Sequence, residues 1–388
     1  MILPSPISTR RGLLRVLAAF SVLGAGSLVL SSACQVQPDA PKADRQHMLL
    51  DLSNNVIVPG YADVASQSQQ LAAAVSALRT APSAAALTSA QQLYRAARAT
   101  HKSTEAFFFG PADDIAVTAG AIDSWPVNSA MLDALLASTA GLSPADASRL
   151  GATQRGFPGL EYLLFDSSVT DADVLARFVD PVTGARRLEL CESLALDLAS
   201  VTKKVSDAFA GPTGYGNEIA TAGTGSKIYP EQSQGVDKVV TGLLYAAELV
   251  EMKKLAKPLG INGSKTTNII TPAAEEGPRS DSSIADIQAD LAGIQAIYAG
   301  TYGAHVGTGV GTAVRDMNAG ADMRFMQALA GAVAAVNAIP PPFRVALVQN
   351  PASIMAAATA VQAVQDSIKT DVAGTLGASL GFGFSDSD

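Results

Sequence analysis

Residues 186–209 read RRLELCESLALDLASVTKKVSDAF. Leu188, Leu190, Leu194, Leu198 and Val201 recur largely at intervals of three or four among charged residues, the period of an amphipathic helix. The same spacing runs through Tyr61 to Leu78 and Ala84 to Phe107, both rich in Ala, Leu and Gln, which favour helix. It returns in Val236 to Leu255, Ile284 to Ala299, Met317 to Ile339 and Ile354 to Ala373. Helix starts are marked by Ser143-Pro144, Asp281-Ser282-Ser283 and Asn350-Pro351. Alternating β-branched runs are nearly absent, so the chain is expected to be all-α.

Two Gly- and Pro-rich breaks, Gly211 to Pro230 and Leu259 to Ser283, interrupt the helices. A mature chain of about 350 residues exceeds one usual hydrophobic core. An N-terminal helical domain over 46–212 and a C-terminal four-helix bundle over 230–373 are therefore expected, with a disordered Gly/Ser-rich tail over 374–388.

Residues 1–33 form an export signal. Thr9-Arg10-Arg11-Gly12-Leu13-Leu14-Arg15 fits a twin-arginine pattern, and the apolar run from Val16 to Leu30 is too short for a mature span. Ser31-Ser32-Ala33-Cys34 is similar to a lipobox, so Cys34 is expected to carry the lipid that anchors the protein to the membrane. Gln35 after the cysteine favours an outer-membrane anchor facing the periplasm, and plain cleavage would leave a soluble periplasmic protein. Residues 34–45 read as a polar tether. The net charge of −8 becomes −11 without Arg10, Arg11 and Arg15, which argues against nucleic acid as a partner. Cys191 is then the one remaining cysteine, so no disulfide holds the fold.

Arg155-Gly156-Phe157-Pro158-Gly159-Leu160-Glu161 opens an apolar helix. It resembles the Gly-x-His-x-x-Glu signature of the imelysin family, with Pro158 at the position of the His. Thr104-Glu105-Ala106-Phe107-Phe108-Phe109-Gly110-Pro111 after Arg98, Ile122-Asp123-Ser124-Trp125-Pro126, Lys254 to Gly260 and Arg279 to Asp286 resemble further family elements in family order. The resemblance implies two helical domains with the signature elements meeting in a cleft, an exported protein, and a link to iron acquisition. Some members are described as metallopeptidases because of the His/Glu pair.

Glu161, near the positive end of its helix, is either a ligand contact or a structural acceptor for backbone donors or Arg155. Pro158 at the first helical position would keep the motif's shape and remove its nitrogen. His101 and Glu105, four apart on a helix, could join Glu161 around iron or zinc, against the ordinary reading of a surface His beside an acid. His305 sits in a Gly-rich stretch where a loop role is equally open. Gly156, Arg98, Asp123, Trp125, Ser280 and Ser282 complete the cleft candidates, with helix capping as the plain alternative for the serines and a packing corner for Trp125. No His-Glu-x-x-His occurs, and Gly377-Ala378-Ser379-Leu380-Gly381 in the Gly/Ser-rich tail follows no strand, so it is not a nucleophile elbow and no catalytic residue is assigned. The chain reads as a lipid-anchored binding or accessory component working with iron-uptake proteins. A metallopeptidase or a structural docking lipoprotein are the alternatives.

Overall fold

The computed structural model describes residues 44–116, 121–262, 265–266 and 269–381. The signal, Cys34 and nearly all of the tether lie outside them. The fold is all-α. Its strands are two antiparallel pairs of two residues each, Ile261–Asn262 with Lys265–Thr266 and Thr301–Tyr302 with His305–Val306, among the described residues.

Helix α1 (Arg45–Leu52) runs through one π turn (Ser53–Ile57) into α2 (Val58–Thr80), and α3 spans Ala84–Ser103. Asp44 and Ser83 cap α1 and α3 through their side chains. A single 3₁₀ turn, Glu105–Phe107, follows α3, then α4 (Pro111–Ala116), α5 (Ser129–Ala137), α6 (Pro144–Ala147) and α7 (Gly156–Leu164). Ser143 makes the expected cap, a reciprocal box with Asp146. After α8 (Asp171–Phe178), the stretch that set the helical reading forms α9 (Gly184–Phe209), with Leu190, Leu194, Leu198 and Val201 buried. Helices α2, α3 and α9 pack side by side, α2 between the other two, and α7 lies on α9.

The break after Phe209 contains a short helix, α10 (Tyr215–Ala220). It is ordered because Ser53 Oγ donates to the Gly216 carbonyl at 2.6 Å and Tyr215 packs on Phe209. Helix α11 (Gln232–Glu248) continues as a π segment, Leu249–Ala256. Helix α12 (Ser283–Ala299) precedes α13 (Val310–Met317), α14 (Ala319–Asn337), α15 (Phe343–Gln349) and α16 (Pro351–Ser367), the last extended by a π segment to Ala373. The four long helices α11, α12, α14 and α16 contact one another as a bundle.

The expected loose tail needs correcting at its start. Gly374–Leu376 form a last turn, α17, and the Ser379 and Gly381 amides donate to Asp237 and Thr241 on α11. The rest of the tail lies outside the described residues.

One hydrophobic cluster runs from Met48 to Leu376, and the described residues cluster as one compact unit. Within it, α12 crosses α3 and joins the two groups of helices. The crossing is close because Gly293 has no side chain; a Cβ there would lie 2.2 Å from the Ser103 carbonyl oxygen. This contact sets the polar end of α3 against α12.

Candidate functional site

The buried face of α3 changes character along its length. Leu87, Ala90, Tyr94 and Ala97 are followed on the same side by Arg98, His101 and Lys102, and then by Glu105 in the 3₁₀ turn, all buried. Burial of so many ionisable groups requires partners. They come from distant segments: Asp123 before α5, Lys254 in the π segment after α11, Glu276 in the loop before α12, and Asp286 and Asp290 on α12.

Arg98 donates to Asp123 (3.1 Å), Glu276 (3.0 Å) and Asp286 (2.7 Å). The Lys102 ammonium lies 2.5–2.6 Å from Glu105, Asp123 and Glu276. Lys254 lies 2.9 Å from Glu105, 3.2 Å from Glu276 and 2.6 Å from Asp290. Three cations thus face five carboxylates in a buried network. Burial works to raise every one of these carboxyl pKa values, and the neighbours decide the outcome. The ammoniums of Lys102 and Lys254 outweigh burial and hold Glu105 below the ordinary range, while Arg98 and Lys102 do the same for Asp123. Burial prevails at Asp286 and Asp290, which are raised.

His101 differs from its neighbours. Its ring stacks on Phe157, with centroids 5.4 Å apart, and no described group hydrogen-bonds the imidazole. Burial, then the adjacent Lys102 charge, lower its pKa to about 4, so the ring is neutral with a free lone pair. The expected surface His is therefore a buried one. A ring nitrogen of His101 and one oxygen each of Glu105 and Asp123 lie within 4.8 Å of one another, the one such group among the described residues. These three side chains line a cavity of about 170 Å³ together with Trp125, Tyr245 and Leu249.

Glu161 does not join this group, contrary to the expected His101/Glu105/Glu161 set. Its Oε1 accepts from the Arg279 amide (3.1 Å), the Ser280 amide (2.9 Å) and Ser280 Oγ (2.6 Å). The loop before α12 thus claims the carboxylate. Glu161 instead lines a second cavity, of about 220 Å³, with Pro158, Glu275, Arg279 and Arg98; Trp125 lines both cavities. Arg155, considered as a partner of Glu161, forms a two-bond pair with Asp197 at 2.9 and 3.0 Å.

Other expected residues fall as follows. Gly156 adopts φ +60°, a left-handed conformation that turns Phe157 N–H onto the Ile122 carbonyl at 2.8 Å and so links α7 to the Asp123 segment. Pro158 is the third rather than the first residue of α7, still within the first turn, where a missing N–H costs no helix bond. Ser282 stands at the N-cap of α12 without a side-chain cap bond and instead donates to Asp286 at 3.1 Å. Ser280 likewise is no cap, since its hydroxyl holds Glu161. Trp125 is partly exposed, with the Lys257 ammonium 5.8 Å from its ring centroid. His305 is exposed in its hairpin, and Cys191 is buried, its thiol pushed up to about 12 by burial.

Lys102, Lys254, Glu276, Asp286 and Asp290 were not among the expected site residues. A signal was present for two of them: Asp286 and Asp290 are four apart and fall among Ile287, Leu291 and Ile294, on the buried side of α12. For Lys102 and Lys254, lysines on helices rich in charge, no local pattern distinguishes a buried ammonium from a solvated one.

With the geometry in hand, the relatives agree. The family described as Imelysin matches residues 57–370. Iron-regulated protein A of Synechococcus elongatus is 27% identical over 325 residues, covering 82% of this chain and 83% of the relative. A solved structure described as an iron-regulated protein A precursor from Parabacteroides distasonis superposes with a TM-score of 0.72 at 19% identity, covering 87% of this chain and 97% of its own. An imelysin-like protein from Psychrobacter arcticum gives 0.66 at 19% identity, with the same 87% and 97% coverage. At that identity the two structures speak to the fold alone. The chain belongs to the imelysin family.

Proposed function

We propose that this imelysin-family chain is an exported binding component of iron acquisition, held to the membrane through Cys34 and facing the periplasm. It would take iron, or a small iron-bearing chelate, at the cavity beside the buried charge network, and pass it to uptake partners. The observation that carries this reading is the acidic excess of the network, five carboxylates against three cations, beside a cavity lined by two of those acids. Such a site favours a cationic ligand. The iron link rests on the name of the Synechococcus relative, an iron-regulated protein. No helix among the described residues is long and apolar enough to cross a membrane, and in this reading acyl chains on Cys34 would be the anchor.

Peptidase chemistry is less well supported. A zinc hydrolase uses about three protein ligands and a general base. Pro158 supplies no nitrogen, and Glu161 Oε1 is committed to Ser280 and Arg279.

The test is retention. Purified mature protein is passed through a desalting column after exposure to ferrous iron, ferric citrate or a metal mixture, and bound metal is counted. Stoichiometric iron in the protein fraction supports the proposal; iron and chelate both lost to the small-molecule fraction would overturn it.

A further inference from the structure

We infer that His101, Glu105 and Asp123 coordinate one divalent transition-metal ion, with the remaining positions filled from the cavity by water or an oxygen-donor chelate. This rests on the binding reading above and gives it a site and a coordination chemistry. The site differs from the one the signature motif implies, because neither residue 158 nor Glu161 takes part.

Three independent features point to it. The first is the unpartnered imidazole: His101 is only 5% exposed, lines the cavity, and no described group hydrogen-bonds its ring. A ring nitrogen that meets the cavity rather than a protein group is open to a ligand. The second is distance. In a tetrahedral site, donors each about 2.1 Å from one ion lie about 3.4 Å apart. The three donor atoms lie within 4.8 Å of one another, so at most about 1.4 Å of side-chain adjustment closes the set. The third is charge. Glu105 and Asp123 belong to a network of five carboxyl groups and three cations, Arg98, Lys102 and Lys254, and that excess of acids favours a bound cation.

Each oxygen of the two acids already meets one cation: Lys102 at 2.6 Å and Lys254 at 2.9 Å on Glu105, Lys102 at 2.5 Å and Arg98 at 3.1 Å on Asp123. Each carboxylate oxygen has two lone pairs, so an ammonium on one leaves the other for a metal. Lys102, Arg98 and Lys254 then act as the outer partners that orient the metal-binding carboxylates. One nitrogen and two carboxylate oxygens suit iron(II), zinc or manganese better than calcium or magnesium, which favour oxygen alone. Ser124 and Trp125, partly exposed on the cavity wall, give the ion a route from solvent.

The chain has three histidines, and His47 and His305 are exposed. A tag-free mature chain carrying His47→Gln and His305→Gln therefore keeps His101 as its sole imidazole. Loaded with Cu²⁺ as a spectroscopic probe, this chain should give an electron paramagnetic resonance spectrum with coupling to one imidazole nitrogen. An oxygen-only spectrum overturns the proposal without requiring any change at the site. In parallel, His101→Phe keeps an aromatic ring against Phe157 and removes the nitrogen. Zn²⁺ and Fe²⁺ affinity should fall by at least the roughly 10–100-fold typical of losing even an outer partner. Unchanged affinity in a folded His101→Phe chain sinks the site but leaves iron binding elsewhere intact. Retention of ferric citrate with no uptake of free metal sinks it too, while preserving the binding reading. Loss of both removes the two together.

Discussion

Glu161 and Ser280, 119 positions apart, are joined side chain to side chain at 2.6 Å, and the same carboxylate oxygen also takes the Ser280 and Arg279 amides. The signature glutamate is thus a clasp that fastens the loop before α12 onto α7. Glu161→Ala leaves two amides and a hydroxyl without their acceptor, and stability should drop by about 3 kcal/mol. Ser280→Ala removes one charge-assisted bond and should cost about 1–2 kcal/mol. Urea unfolding measures both. A neutral Glu161→Ala would show that the clasp carries no energy.

Arg98 reaches three carboxylates on three segments, Asp123, Glu276 and Asp286, with its side chain 2% exposed. Arg98→Met leaves buried acids with fewer cations and should destabilise the fold by about 3–5 kcal/mol. Arg98→Lys should not rescue it, because a single ammonium cannot reproduce the fork that serves three partners. Thermal melts at neutral pH decide this. Recovery of wild-type stability by the lysine would mean that charge alone, not geometry, holds the network.

In metal-free protein kept in chelator, His101 supplies a pH signature. Its folded pKa of about 4 lies below the ordinary 6.5, because burial and Lys102 disfavour the charged ring. Between pH 6.5 and 4 the unfolded chain binds a proton that the folded chain refuses. Stability is therefore lost as pH falls through that window and the loss levels off below it, for a total of about 3 kcal/mol. Asp286, its carboxyl raised by burial, works in the opposite sense over part of the same range. The difference between wild type and His101→Phe isolates the imidazole. Parallel stability curves for the two proteins from pH 7 to 4 would contradict the assignment.

Gly156 is the residue of the signature most constrained by space. A Cβ there would sit 2.0 Å from the Ile122 carbonyl oxygen on a backbone already at φ +60°. Gly156→Ala should cost at least about 2 kcal/mol and move the Asp123 segment away from α7. Chemical-denaturation midpoints give the cost. An alanine variant of native stability would refute the close approach.

The helices were legible because their evidence is local. Apolar spacing in Arg186 to Phe209 placed α9 to within two residues at its start, and Ser143 announced its own cap. The π segments after α11 and α16 were not legible, since a helix carrying an extra residue in a turn keeps nearly the same pattern. Short α10 was hidden for another reason: its order comes from Ser53 and Phe209, far away in the chain.

The site divides in the same way. By itself the amino-acid sequence determined the helical class, the family and the loss of a nitrogen at Pro158, and it nominated Arg98, His101, Glu105, Asp123 and Glu161. Only the tertiary structure decided which of them meet. Helical period says which residues share a face, but not what that face is pressed against. Close packing at Gly293 brings α12 and its two acids onto the end of α3, so that His101 and Glu105 are grouped with Asp123. Glu161, on another helix, is taken up by a loop more than a hundred residues away. Pairing among buried charges is a property of the assembled helices, because each cation is stabilised by carboxylates that no local stretch of chain contains.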